Sequence, residues 1–167
     1  MTPRIFVLSA SIFAASVTFV SAQGTEIAFG AKRADSSLPV EVTADTLRVN
    51  QTDGTAIFNG NVLVGQGEMR LSADEVRIEY IMEDGESTGE VGRVIATGGV
   101  TFVNGPEAAE GEMADYDVPG GTMFMTGNVI LTQGKNILAG EKLVVNMDDG
   151  TGVMEGRVKS ILQTGDN

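Results

Sequence analysis

A short phrase recurs four times along this chain at nearly fixed spacing, and it limits the fold more than any other feature. It appears as Phe58-Asn59-Gly60-Asn61-Val62, Ala96-Thr97-Gly98-Gly99-Val100, Met125-Thr126-Gly127-Asn128-Val129 and Met154-Glu155-Gly156-Arg157-Val158. The glycines are separated by 38, 29 and 29 residues. A second phrase, a small residue followed by an acid, marks the other half of each unit. It reads Ala44-Asp45, Ala73-Asp74, Gly111-Glu112 and Gly140-Glu141, with steps of 29, 38 and 29. Both series share one period of 29, with nine extra residues in the second unit around Met82 to Ser87. A repeat this short is one supersecondary unit that cannot bury its own apolar face, so neighbouring units must stack.

Within the units the apolar residues alternate. Val40 and Val42 share a face, as do Leu47 and Val49, then Ala56, Phe58, Val62 and Val64. The pattern returns in Met69, Leu71, Val76 and Ile78, and in Val94, Ala96, Val100 and Phe102, while Glu41, Arg48, Arg70 and Arg77 point the other way. A period of two means strands with one buried face. Turn pairs fall in two phases: Asp53-Gly54, Gly120-Gly121 and Asp149-Gly150 in one, Gln66-Gly67, Asn104-Gly105 and Gln133-Gly134 in the other. Proline occurs only at 3, 39, 106 and 119, at edges or turns. The spacing predicts an all-β chain of about 16 short strands, at about five residues each, built from four repeats. Two facing sheets, a solenoid or a jelly roll open at both ends satisfy it. The repeated glycine marks a bend or bulge in each unit. The strand from Gly156 to Leu162 has no following turn, and Val40 to Val42 opens the fold, so each offers an unpaired edge.

Residues 1–22 stand apart. Arg4 precedes the apolar run Ile5 to Val20, and Val20-Ser21-Ala22 supplies small residues before a cleavage point. This is the pattern of a secretory signal peptide, and the run is shorter than the ~20 residues of a membrane span. The expected organisation is a signal peptide at 1–22, a lead-in at 23–38, a β domain at 39–162 and a tail at 163–167. Without Arg4 the chain carries 10 Lys and Arg against 23 Asp and Glu, a formal charge of −13. That balance argues against nucleic acid as a partner. There is no Cys, so an exported domain must hold together without disulfides, and no His, which removes His-based catalysis and the common zinc sites.

Asp45, Asp74, Glu112 and Glu141 could suggest calcium ligands or an acid–base pair. Their recurrence in every unit points instead to a corner residue bonding the backbone. Gly98-Gly99 lacks the spacing of a phosphate loop and precedes a strand. The acidic insertion around Asp84-Gly85-Glu86 reads as a solvated loop. No catalytic residue, metal ligand or cofactor is expected. Met69, Met123, Met125 and Met154 join the apolar face, and soft methionines suit exchangeable apolar contacts as well as an ordinary core.

The stretches Leu38 to Asp45, Phe58 to Val64, Leu71 to Val76 and Met125 to Val129, in this order and behind a signal peptide, resemble the periplasmic lipopolysaccharide-transport bridge proteins of the LptA/OstA type. The resemblance covers about residues 38 to 162. It implies an OstA-like, open antiparallel β-jelly roll whose groove shelters the acyl chains of lipid A. It also implies head-to-tail homo-oligomers that join inner-membrane and outer-membrane lipopolysaccharide-transport components across the periplasm. Val40, Val42, Phe102 and Tyr116 match interior positions of that family. The lipid-facing set expected on this reading adds Leu47, Val49, Phe58, Val62, Val64, Leu71, Val76, Ile78, Val100, Met125, Val129 and Leu131. Each methylene hidden from water is worth about 0.8 kcal/mol, so a twelve-carbon chain gains on the order of 9 kcal/mol without any covalent chemistry. The chain is shorter at its C-terminus than the better-known members and lacks their basic tail. The membrane-anchored LptC-like partner of the same pathway, and a secreted structural β-solenoid without lipid, are the alternative readings.

Overall fold

The computed structural model describes residues 25–28 and 38–163. The expected signal peptide, most of the expected lead-in and residues 164–167 lie outside the described residues. The elements are β1 (Thr25–Ala28), β2 (Glu41–Thr43), β3 (Thr46–Asn50), β4 (Thr55–Gln66), β5 (Met69–Glu83), β6 (Glu86–Asn104), β7 (Glu107–Asp117), β8 (Thr122–Gln133), β9 (Asn136–Asn146), β10 (Thr151–Glu155) and β11 (Lys159–Ile161). All pairings are antiparallel, in the order β1-β10-β9-β8-β7-β6-β5-β4-β2, with β3 also on β4 and β11 also on β9.

The predicted short strands are the halves of longer ones. The ladders break between Asn59 and Val62, Ser72 and Glu75, Thr97 and Val100, Glu110 and Met113, and Thr126 and Val129. These breaks lie side by side at the repeated phrases. The sheet therefore folds along one line of bends into two leaves. One leaf holds β2, β11 and the halves that pair with them, and the other holds β1, β3, β10 and the remaining halves.

The two phrases of the repeat meet at each bend. Gly60, Gly98, Gly127 and Gly156 all have positive φ, and a Cβ on each would run into Asp45, Asp74, Glu112 and Glu141 respectively. The acid of one strand thus packs over the glycine of the next. The Asp45 N–H donates to the Gly60 carbonyl at 2.9 Å. The Asn61 side-chain amide donates to the Asp45 carboxylate at 2.9 Å, and that of Asn128 to Glu112 at 3.1 Å. The repeated acids hold corners.

Register aligns the inward residues into rows. One row in the β3 leaf runs Leu47, Phe58, Val76, Ala96, Ala114, Met125, Leu143 and Met154. One in the β2 leaf runs Val42, Val64, Leu71, Phe102, Ala109, Leu131 and Leu138. Exposure along the first row falls from 54% at Leu47 to 0% at Met154. The C-terminal half is a closed core of Met125, Val129, Leu131, Leu143, Val145 and Met154. Each such side chain contributes about 1.5–3 kcal/mol by its burial. The N-terminal half stays open.

Two expectations are corrected. The insertion is a β-hairpin rather than a loop. Met82 pairs with Ser87 and Glu83 with Glu86, closed by a turn with positive φ at both Asp84 and Gly85, the geometry that suits a two-residue hairpin. The stretch from Gly156 is not one strand to Leu162 either, because β10 ends at Glu155 and β11 begins at Lys159. Among the described residues β11 pairs only with β9, so it keeps an open side, as do β2 and β3 at the other end. β10 is covered by β1, a strand inside the lead-in that the sequence reading left without structure.

Candidate functional site: an apolar groove between the leaves

Where the leaves stand apart, in the N-terminal half, they enclose a cavity of about 500 Å³. The alternation of β2 and β4 sends Val42 and Val64 in from one leaf, with Val40 just before β2 and Met69, Leu71 and Phe102 beside them. Phe58, Val76, Ile78, Val94 and Tyr116 face them from the other. Ala96 and Ala114 lie on the same wall, and their short side chains leave the space that Met125 and Leu143 fill further along the row. The lining is apolar apart from the Gln66 amide and the hydroxyls of Tyr80 and Tyr116, and Gln66 donates to the Leu38 carbonyl at 3.0 Å. No charged side chain lines it.

Burial raises the Tyr116 phenol above its ordinary value, and the carboxylates of Asp148 and Asp117 push the same way. Charged pairs stay outside. Arg93 grips Asp115 through both nitrogens of its fork, which raises the guanidinium further, and Arg77 Nε meets Glu79 at 3.0 Å. Two clefts on the outer faces, of about 330 and 640 Å³, mix charged and apolar groups, Glu41 and Arg70 in one and Arg48 and Arg77 in the other. Among the described residues no group of three or more acids is placed to hold a metal ion. No helix among them is long and apolar enough to cross a membrane.

Nine of the expected lipid-facing residues line the cavity: Val40, Val42, Phe58, Val64, Leu71, Val76, Ile78, Phe102 and Tyr116. Val62, Val100, Met125, Val129 and Leu131 face inward but are at most 1% exposed, packed in the core and off the cavity. Leu47 and Val49 lie outside the cavity. Register puts them on the inner face, but they sit on edge strand β3, where 54% and 62% of their surface meets solvent away from the cavity. Ten lining residues stand outside the expected lipid-facing set: Met69, Val94, Ala96 and Met123, which the sequence placed on the apolar face, and Gln66, Tyr80, Val91, Ala114, Val118 and Met147. Continuing the alternation two residues past Ile78 reaches Tyr80, which was the available signal.

Residues 41–151 match the family described as LptA/(LptD N-terminal domain) LPS transport protein. An uncharacterized protein of Rhizobium meliloti (strain 1021) is 29% identical over 159 residues, covering 91% of this chain and 84% of that protein. The lipopolysaccharide export system protein LptA of Escherichia coli (strain K12) is 26% identical over 145 residues, covering 82% of this chain and 70% of its own. Among solved structures, the crystal structure of LptH, the LptA homologous periplasmic component of the lipopolysaccharide transport device of Pseudomonas aeruginosa, superimposes with a TM-score of 0.65. That match has 20% identity and covers 78% of this chain and 99% of LptH, which speaks for a shared fold.

Proposed function

Because the chain belongs to the LptA/(LptD N-terminal domain) family of LPS transport proteins, we propose that its inter-leaf groove holds acyl chains of lipopolysaccharide while the sugars and phosphates stay in water. The observation that carries this reading is the apolar cavity of about 500 Å³ at the open end of an otherwise filled core. A cavity of about 150 Å³ lined by aliphatic side chains stays dry and takes benzene, so on that scale this one takes on the order of 20 carbons. That is one or two acyl chains, fewer than a multi-acyl lipid A carries. The rest of the lipid must find cover beyond the open N-terminal end, against Leu47, Val49 and the next molecule.

Assembly supplies that cover. Among the described residues, β2 and β3 at one end and β11 at the other each keep a side without a partner strand, suited to strand addition. The two edges differ, so the contact is head-to-tail and continues the groove from copy to copy rather than closing on itself. The protein acts in the periplasm after cleavage behind Ala22, between inner-membrane and outer-membrane components of the transport pathway, and it does no covalent chemistry. N-terminal sequencing should find Gln23 first; Met1 on membrane-bound protein would favour the anchored partner instead.

Site-specific photo-crosslinking tests the groove. A photoreactive side chain in place of Phe102, 4% exposed and on the cavity wall, should label lipopolysaccharide in cells, and one in place of outward-facing Arg77 should not. Equal labelling at both positions defeats the reading.

A further inference from the structure

The nine-residue insertion gives the second unit a feature the other three lack. β5 and β6 continue past their neighbours: β4 begins opposite Glu79, and β7 ends opposite Arg93, so residues 80–92 overhang the leaf on both sides. The overhang is fastened at its base. The Tyr80 N–H donates to the Gly54 carbonyl at 2.8 Å, and the Val118 N–H donates to the Gly92 carbonyl at 3.1 Å. It thus bonds to the turn on either side. Met82 packs its sulfur against Gly54, leaving no room there for a Cβ. The ladder shifts register at Glu79/Tyr80 and again at Tyr80/Met82, and such bulges bend and twist a hairpin. Tyr80 and Val91 are partners across it, and both line the cavity. The tip beyond them, from Glu83 to Glu90, is exposed.

The geometry points to this hairpin as a chain-length gauge for the groove: Tyr80 and Val91 cover the outermost part of a bound acyl chain, the part that the two leaves leave open to water. The inference rests on the groove being an acyl-chain site. It adds that chains which stop short of the Tyr80–Val91 rung gain nothing from the insertion, while longer ones do. One rung is about 3.3 Å deep, which spans about two to three carbons of an extended chain. Each covered methylene is worth about fourfold in affinity, so the rung contributes about 16-fold or more to chains that reach it.

The test is calorimetric titration of the full protein with saturated fatty acids of rising length, from about eight to about eighteen carbons, below their micelle concentrations. In one variant the hairpin is cut to the length of the other units, with residues 80–92 replaced by a four-residue turn like Met147-Asp148-Asp149-Gly150, which removes both Tyr80 and Val91. In a second, Tyr80→Ser and Val91→Ser leave the backbone intact, which keeps the test available if the shortened hairpin does not fold. The native protein should gain affinity with each methylene until a plateau. Both variants should match it for short chains, reach the plateau about two carbons earlier and bind the longest chains about 16-fold more weakly. Identical curves for native and variant proteins overturn the gauge and leave the groove standing. An equal loss at every length also overturns it, because that is general damage to the wall. If the native protein binds no chain of any length, the acyl-chain reading itself fails.

Discussion

Two adjacent glycines at one bend should respond to substitution with opposite signs. Gly98 has φ +83°, and a Cβ there would lie 2.7 Å from Asp74 Cβ and 2.8 Å from its Cγ. Carbon atoms rest at about 3.5–4.0 Å. Asp74 Cβ is fixed to the β5 backbone, so a rotamer change cannot relieve the clash. For Gly98→Ala the left-handed backbone costs about 1–2 kcal/mol, and the overpacking about 1–3 kcal/mol more. Gly99 also has positive φ, +59°, but nothing lies within 4 Å of its Cβ position. The equivalent positions of two other units hold Asn61 and Asn128, with φ 47° and 49° and their amides on the corner acids. Gly99→Asn should therefore accept the backbone, donate to Asp74, and reduce the freedom of the unfolded chain, a gain of about 0.4–1 kcal/mol. Urea unfolding followed by far-ultraviolet circular dichroism reads both. With a slope of about 1–3 kcal/mol/M, Gly98→Ala should lower the midpoint by on the order of 1–2 M, and Gly99→Asn should raise it slightly. Equal destabilisation by the two substitutions refutes the reasoning, since backbone strain alone would then decide the bend.

Other outcomes follow from burial, ionisation and edges. Leu131→Ala removes a side chain with no exposed surface and should cost about 2–5 kcal/mol in urea unfolding, whereas its neighbour Ile130, 41% exposed on the outer face, should cost about 0.5 kcal/mol or less as Ala. The folded state raises the Tyr116 phenol, so it holds that proton more tightly than the unfolded chain does. The resulting stability is complete below the ordinary tyrosine value of about 10 and fades as pH rises through the higher folded value. Absorbance titration against Tyr116→Phe should show this late phenol, and a titration at or below the ordinary value contradicts the buried ring. Deleting Arg157 to Asn167 removes β11 and should stop concentration-dependent growth of oligomers in light scattering. A truncated protein with an unchanged ladder rules out this edge as the joint.

The sequence alone determined the repeat, the bends and the inward faces, because each rests on a local rule. A glycine with an acid over it bends wherever it occurs, and alternation fixes which face of a strand a residue takes. Alternation puts Phe58 and Phe102 on the inner face, the resemblance does the same for Tyr116, and all three line the cavity. The structure also turned the predicted short strands into halves of folded long ones. What alternation cannot give is the distance between the two faces. That depends on side chains brought together from separate repeats. Ala96 and Ala114 leave a cavity opposite Phe102, while Met125, Leu143 and Met154, later in the same row, close the gap. Hence Val62, Val100, Met125, Val129 and Leu131 became core rather than lining. Leu47 and Val49 kept their face but lost their cover, because burial on an edge strand depends on what lies beyond it. The insertion looked like a solvated loop from its charges. Its pairing and its bonds to the neighbouring turns made it a hairpin, and that put Tyr80 and Val91 over the groove.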